Sequence, residues 1–222
     1  MLIEVYNTLF SKYGPQGWWP GVGPLDVVIG AILTQNTAWS NVEKAINSLK
    51  IANLWSLESI YCSTEEELAS VVRSSGYFNQ KARKLKAFAE HIYMRYEWDL
   101  AKFLNQELQC LRKELLSIYG IGPETADDIL VYAAEKPSFI IDVYTKRILG
   151  RLGIIDIKPK VRYEDYQKLI QDQLPQDVQL FNEFHALLDN HAKLICKKSP
   201  ICSECVLIDD CNWAQQQDLV YE

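Results

Sequence analysis

Four cysteines crowded toward the carboxy terminus carry the strongest chemical signal in this chain. Cys196, Cys202, Cys205 and Cys211 follow a C-x5-C-x2-C-x5-C spacing. Four thiolates this close can hold a soft metal centre, either tetrahedral zinc or a 4Fe–4S cluster. Structural zinc usually draws on two short C-x2–4-C pairs, and one such pair is present, so the spacing leans toward iron–sulfur. No basic start followed by an apolar stretch heads the chain, so a disulfide framework is not expected. Cys62 and Cys110 stand apart from the group and are expected to be buried thiols.

A second signal runs from Leu115 to Glu135, LLSIYGIGPETADDILVYAAE. An apolar helix, then Gly120-Ile121-Gly122, then Pro123 at the first position of another helix make a helix–hairpin–helix pattern. Glycines let a hairpin adopt positive φ and approach another molecule without Cβ atoms between them. The hairpin amides and the positive end of the following helix form an anion site suited to a DNA phosphate. Asp142 directly precedes a further helical run from Val143 and has the chemistry of an N-cap.

The elements that must position these residues read almost entirely as helix. Val27, Val28, Ala31 and Ile32 share one face, as do Val42, Ala45, Ile46 and Leu49. Ser63-Thr64-Glu65-Glu66-Glu67 reads as a capping-box start for a helix reaching about Arg73. Further helices are expected over Lys81–Tyr96, Leu108–Ser117, Tyr144–Arg151, Tyr163–Gln173 and Leu180–Leu194. Phe139-Ile140-Ile141 is strand-like in composition but has no partner strand or hairpin signal. The fold class is all-α.

The chain has 222 residues, 48% of them hydrophobic, with a net charge of −6. That is ordinary for a globular protein of one or two domains and excludes collagen-like and disordered classes. The total charge argues against a nucleic-acid partner, but its distribution does not. The last twenty residues carry five acids and no Lys or Arg, while Lys136–Lys168 carries eight basic and four acidic side chains. Lys81, Arg83, Lys84 and Lys86 form another basic run, and local fields matter more to a nucleic acid than the total. No apolar run approaches the roughly 18 residues that cross a bilayer, so a monomeric, intracellular, cytoplasmic protein with no membrane partner is expected.

The order of hairpin, Phe139-Ile140-Ile141-Asp142-Val143-Tyr144-Thr145-Lys146-Arg147 and four-cysteine loop resembles the endonuclease III superfamily of helix–hairpin–helix DNA glycosylases. The shared motifs cover about Trp18–Asn41, Gly76–Lys81, Ile118–Arg151 and Cys196–Cys211. The resemblance implies a 4Fe–4S cluster on Cys196, Cys202, Cys205 and Cys211, although the first gap is one residue shorter than the commonest family spacing. It makes Asp142, eighteen residues past Glu124, the catalytic aspartate. A carboxylate there stabilises the cation that develops on the sugar and orients an attacking water. Lyase-active members carry at the position of Glu124 a lysine that forms a Schiff base, and Glu cannot do this. That implies a monofunctional, water-using glycosylase, with Lys81, Lys146 or Lys193 as the substitute amines a bifunctional lyase would need.

Trp18-Trp19-Pro20 and Trp39 resemble the 3-methyladenine DNA glycosylase III branch, whose aromatic base pocket would be Trp18, Trp19 and Trp39 here. An indole face attracts a cationic methylated purine beyond ordinary stacking. Gln35 and Gly76-Tyr77-Phe78-Asn79 match the family's two probing loops. Gln35 would fill the gap of the flipped nucleotide, Tyr77 would wedge into the opposite strand, and Gly120, Gly122 and Lys81 would complete the DNA contact. The expected partner is double-stranded DNA containing a damaged base, and the expected process is base excision repair. Rival readings are a uracil or mismatched-base glycosylase and a non-catalytic binder of damaged DNA. Two helical lobes are expected, a six-helix region over 24–135 and a second lobe of 1–23 plus 136–222.

Overall fold

The computed structural model describes residues 1–19, 21–158 and 160–218, and these are all helix and connecting loop. The chain order is α1 (Leu2–Tyr13), α2 (Pro24–Leu33), α3 (Trp39–Ile51), α4 (Leu57–Cys62), α5 (Glu65–Val71), α6 (Phe78–Tyr96), α7 (Leu100–Leu104), α8 (Leu108–Ser117), α9 (Pro123–Tyr132), α10 (Val143–Arg151), α11 (Tyr163–Gln171), α12 (Val178–Leu194) and α13 (Asn212–Asp218). The chain divides into two compact units, Met1–Pro20 with Pro137–Glu222, and Gly21–Lys136. Pro20, part of the expected tryptophan motif, lies outside the described residues. Among the described residues no helix is long and apolar enough to cross a membrane.

The Gly21–Lys136 unit is organised around α2. Its residues Val27 to Leu33 are buried without interruption, so this helix is central rather than amphipathic. It packs on α9, α3 and α6, while α8 packs on α9 to form the two arms of the hairpin. Where six helices were expected, the described residues of this unit carry eight, three of them under eight residues long. Helix α6 begins at Phe78, not Lys81, because Tyr77 takes a left-handed conformation that ends the preceding turn. Helix α5 is capped by Thr64, whose side chain accepts from Glu67 N–H, and gives way after Val71 to a tight turn at Arg73–Ser75. The reciprocal capping box lies one helix earlier, between Ser56 and Ser59. Cys62 and Cys110 are exposed, contrary to expectation, because both fall on the outward faces of short helices.

The other unit joins the first helix to the carboxy-terminal third. Helix α1 lays Leu2, Val5 and Leu9 on α12, and Phe181, Phe184, Leu187 and Leu188 close the core from the α12 side. Phe139 sits edge-on against Phe181 and Phe184, with ring centroids 5.3 and 5.6 Å away. The strand-like segment Phe139-Ile140-Ile141 is buried, and among the described residues it has no partner strand. One face of α11 takes the place of a partner strand. Gln171 Oε1 accepts from Phe139 N–H at 2.7 Å, Gln167 Nε2 donates to the Phe139 carbonyl at 2.7 Å, and Tyr163 Oη accepts from Ile141 N–H at 3.1 Å. Residues 163, 167 and 171 are spaced by four, so a single helical face satisfies buried backbone groups that would otherwise cost free energy.

Candidate active site and nucleic-acid interface

Asp142 follows directly on this pinned segment. Its Oδ1 accepts from Thr145 N–H at 2.6 Å, so the expected N-cap role is realised. Its Oδ2 is turned toward His185 Nε2 at 3.9 Å. Burial is the largest influence on His185 and lowers its pKa, with Asp142 and Asp189 working in the opposite sense. Burial thus works against a charged imidazole beside this carboxylate.

Helix α12 adds more to the same neighbourhood. His185, Asp189 and Lys193 recur every four residues, and Lys193 Nζ meets Asp189 Oδ2 at 2.6 Å. The same ammonium lies 5.7 Å from the Trp18 ring centre and 5.9 Å from that of Tyr144. Trp18 and Trp19 meet edge to face at 5.9 Å. The segment leading to them is tied to α12 by Gln16, whose N–H donates to Glu183 Oε1 at 2.7 Å and whose Oε1 accepts from Asn190 at 2.9 Å. Sequence reading named Lys193 only as a conceivable amine and missed His185 and Asp189. The i, i+4, i+8 spacing on one helix was the signal available.

In the Gly21–Lys136 unit the hairpin is stiffened from inside. Gly120 takes φ +83°, and the Lys84 side chain lies where its Cβ would be. Gly122 is an extended N-cap at φ −91°, with open space around it, so positive φ is a property of Gly120 and not of both glycines. Gln35 donates to the Gly120 carbonyl at 3.2 Å and to Thr125 Oγ1 at 2.9 Å, while Lys84 donates to its Oε1. Gln35 thus braces the hairpin. The exposed side chain at the tip of its loop is the next residue, Asn36, held at φ +55°. Tyr77 is also presented outward, 66% exposed at φ +45°, and Tyr119 is exposed beside the hairpin. Glu124 is exposed in the first turn of α9. Trp39 opens α3, with its indole N–H donating to Glu43 at 3.1 Å.

Lys81 departs from expectation. It is 1% exposed, and its ammonium donates to the Leu33 and Ser75 carbonyls at 2.8 and 2.5 Å. It links the end of α2 to the turn before Tyr77 and shows no charge to solvent. The rest of that basic run is also paired with other groups, Arg83 at the surface and Lys86 partly buried. Arg83 pairs with Glu65 at 2.9 Å, and Lys86 donates to the Tyr61 and Ser63 carbonyls. In the later basic stretch Lys158, Arg162 and Lys168 pair with Asp156, Asp165 and Asp172.

All four carboxy-terminal cysteines line one small cavity together with Arg151, Ile208 and Trp213. Burial raises the Cys205 thiol pKa, and the other three cysteines push it the same way. Arg151 donates to Cys196 Sγ at 3.2 Å and to the Lys197 and Lys198 carbonyls, and its guanidinium lies 4.8 Å from the Trp213 ring centre. Arg147 grips the Cys196 and Ala192 carbonyls at 2.7 and 3.1 Å. Among the described residues no three His, Cys, Asp or Glu side chains are arranged to hold a metal ion. Thiolates around one zinc would lie within about 4 Å of each other, given bonds of about 2.3 Å. A four-iron cluster accommodates a wider ring of sulfurs, and the soft donor set fits it.

Residues 29–172 match the family model described as HhH-GPD superfamily base excision DNA repair protein. A Methanocaldococcus jannaschii protein provisionally named a DNA repair glycosylase is 41% identical over 213 residues, covering 95% of this chain and 96% of its own. The structure of H. pylori 3-methyladenine DNA glycosylase bound to 1,N6-ethenoadenine superposes with a TM-score of 0.74 at 28% identity, over 86% of this chain and 97% of that one. An endonuclease III–DNA complex superposes with a TM-score of 0.83 at 19% identity, over 98% and 97% of the two chains, and shares the fold.

Proposed function

This chain belongs to the HhH-GPD superfamily of base excision DNA repair proteins, and from that premise we propose that it is a monofunctional DNA glycosylase for alkylated bases of the 3-methyladenine type. The observation that carries this reading is Asp142 as the side-chain N-cap of α10, with Glu124, by the family resemblance, standing in the sequence where a lyase carries its amine. Asp142 Oδ1 is committed to Thr145 N–H, which leaves Oδ2 to face the sugar and steady the cation that grows as the glycosidic bond breaks. His185 bounds the carboxylate on one side. Water then adds to the sugar, because the first turn of α9 offers no nucleophilic nitrogen.

Base choice rests on aromatic faces. The Trp18 ring lies near the Lys193 ammonium, evidence that an indole here suits a cation. Trp18, Trp19 and Trp39 would favour a methylated, positively charged purine over its neutral parent by about 0.5–2 kcal/mol. On the DNA, the Gly120–Gly122 amides take a phosphate, Tyr77 wedges the duplex, and Asn36 rather than Gln35 probes the gap, since Gln35 is engaged with the hairpin. The similarity to the 3-methyladenine glycosylase structure supports the same substrate class. Cys196, Cys202, Cys205 and Cys211 would hold a 4Fe–4S cluster, which when bound crosslinks the loop that Arg147 and Arg151 fasten to α10.

The test is release of free base from duplexes that each carry one lesion, namely a methylated purine, uracil, a mismatched thymine or an undamaged purine. The methylated purine should leave fastest. Trp39→Ala should lower its rate more than the rate for any neutral base. Faster release of uracil or thymine, or an equal loss on both kinds of base in the variant, would contradict the alkylbase assignment.

A further inference from the structure

A partly buried hydrogen-bonded chain joins the first helix to the cysteine loop. Tyr13, the last residue of α1, has its hydroxyl 2.8 Å from His191 Nδ1. His191, on α12, is 1% exposed, and its other ring nitrogen, Nε2, lies 3.5 Å from Cys205 Sγ. A thiolate ligand can only accept a hydrogen bond, so the nitrogen facing it must carry the proton. A neutral imidazole has one N–H, so Nδ1 is then the acceptor and the tyrosine hydroxyl the donor. We propose that Tyr13 and His191 are positioning residues for the cluster ligand Cys205, with Tyr13 fixing the imidazole tautomer whose Nε2–H donates to the Cys205 sulfur. The proposal rests on the cluster reading above.

The arrangement has an electrostatic consequence that simple packing would not have. An N–H directed at a ligand sulfur draws off negative charge, and the reduced cluster, with one more electron, gains more from it. Losing the donor should therefore shift the reduction potential to more negative values. Arg151 supplies the corresponding donor to Cys196 from α10, so the two outer groups approach the loop from different helices.

The experiment compares aerobically purified wild-type protein with His191→Leu, Tyr13→Phe and His191→Gln. It records iron per chain, the cluster's midpoint potential and its rate of bleaching by ferricyanide. His191→Leu should shift the potential negative and bleach several-fold faster. Tyr13→Phe, which keeps the ring but frees the tautomer, should move both in the same direction by less. His191→Gln, whose amide can donate near the position of Nε2, should recover most of the potential. If His191→Leu does not fold, the Tyr13→Phe and His191→Gln pair decides alone. Iron-loaded variants with a wild-type potential overturn the proposal, and faster bleaching with an unmoved potential does so equally, since it marks a purely structural role. Wild-type protein without iron overturns the cluster reading along with it, and the iron content tells these failures apart.

Discussion

The hairpin unit and the carboxylate unit use their charges in opposite ways. Around the hairpin, Lys81, Lys84 and Lys86 turn inward onto carbonyl and amide oxygens, and the outward tips are neutral: Asn36, Tyr77 and Tyr119. Before Asp142 the braces are neutral side chains, Tyr163, Gln167 and Gln171, which hold the backbone of Phe139 and Ile141. Buried ammonium groups satisfied by carbonyls give stiffness, whereas a carboxylate braced through the backbone beside it retains its field. Gripping and chemistry should therefore separate cleanly under mutation.

Two substitutions should separate gripping from chemistry. Asp142→Asn preserves shape and much of the capping but removes the charge, so single-turnover excision should fall by at least about 10²-fold. Its affinity for a duplex containing an abasic-site analogue should stay near wild type. Gly120→Ala should do the reverse. Its φ of +83° and the Lys84 side chain in the Cβ position make alanine strained there, at about 1–2 kcal/mol from the backbone alone. DNA affinity, read by fluorescence anisotropy, should drop, while excision at saturating DNA survives. If both variants lose binding and excision in proportion, the division of labour is wrong.

A smaller effect sharpens the account of the inward cations. Burial, and secondarily the charge of Lys84, pulls the Lys81 pKa down to about 8 from 10.5. Between those values the unfolded chain holds a proton that the folded chain has released, so this group's contribution to stability rises with pH across that window. Below about pH 8 the buried ammonium costs stability, and the cost is relieved on alkalinisation. Urea midpoints of wild type and Lys81→Met should therefore diverge between pH 8 and 10.5, with the wild type gaining relative to the variant. Parallel curves would show that Lys81 keeps a solvent-like proton.

What the sequence made legible was what short spacing encodes. Pro123 after Gly120-Ile121-Gly122 announced the hairpin, and Asp142 before Val143 announced a cap, because both depend on the next few residues. The four cysteines were recognisable together for the same reason. What the sequence hid was the destination of long side chains. Lys81 and Lys86 look like a cationic face until the fold shows which carbonyls they reach. Gln35 reads as a probe from its place in the loop, while its amide is drawn to a hairpin 85 residues away. The α11 face that holds Phe139 to Ile141, and the contacts of His191 and Arg151 with cysteine sulfurs, come from helices whose apolar periodicity says nothing about their polar positions.

In the proposed mechanism a carboxylate and water, with no protein amine, release the base. Borohydride trapping on a single-lesion duplex tests it most directly. Wild-type protein should release free base, leave an abasic strand that breaks only under later alkali, and yield no covalent protein–DNA adduct. A trapped adduct that disappears when one lysine, such as Lys193, is changed to Met would identify a Schiff-base amine and contradict the mechanism.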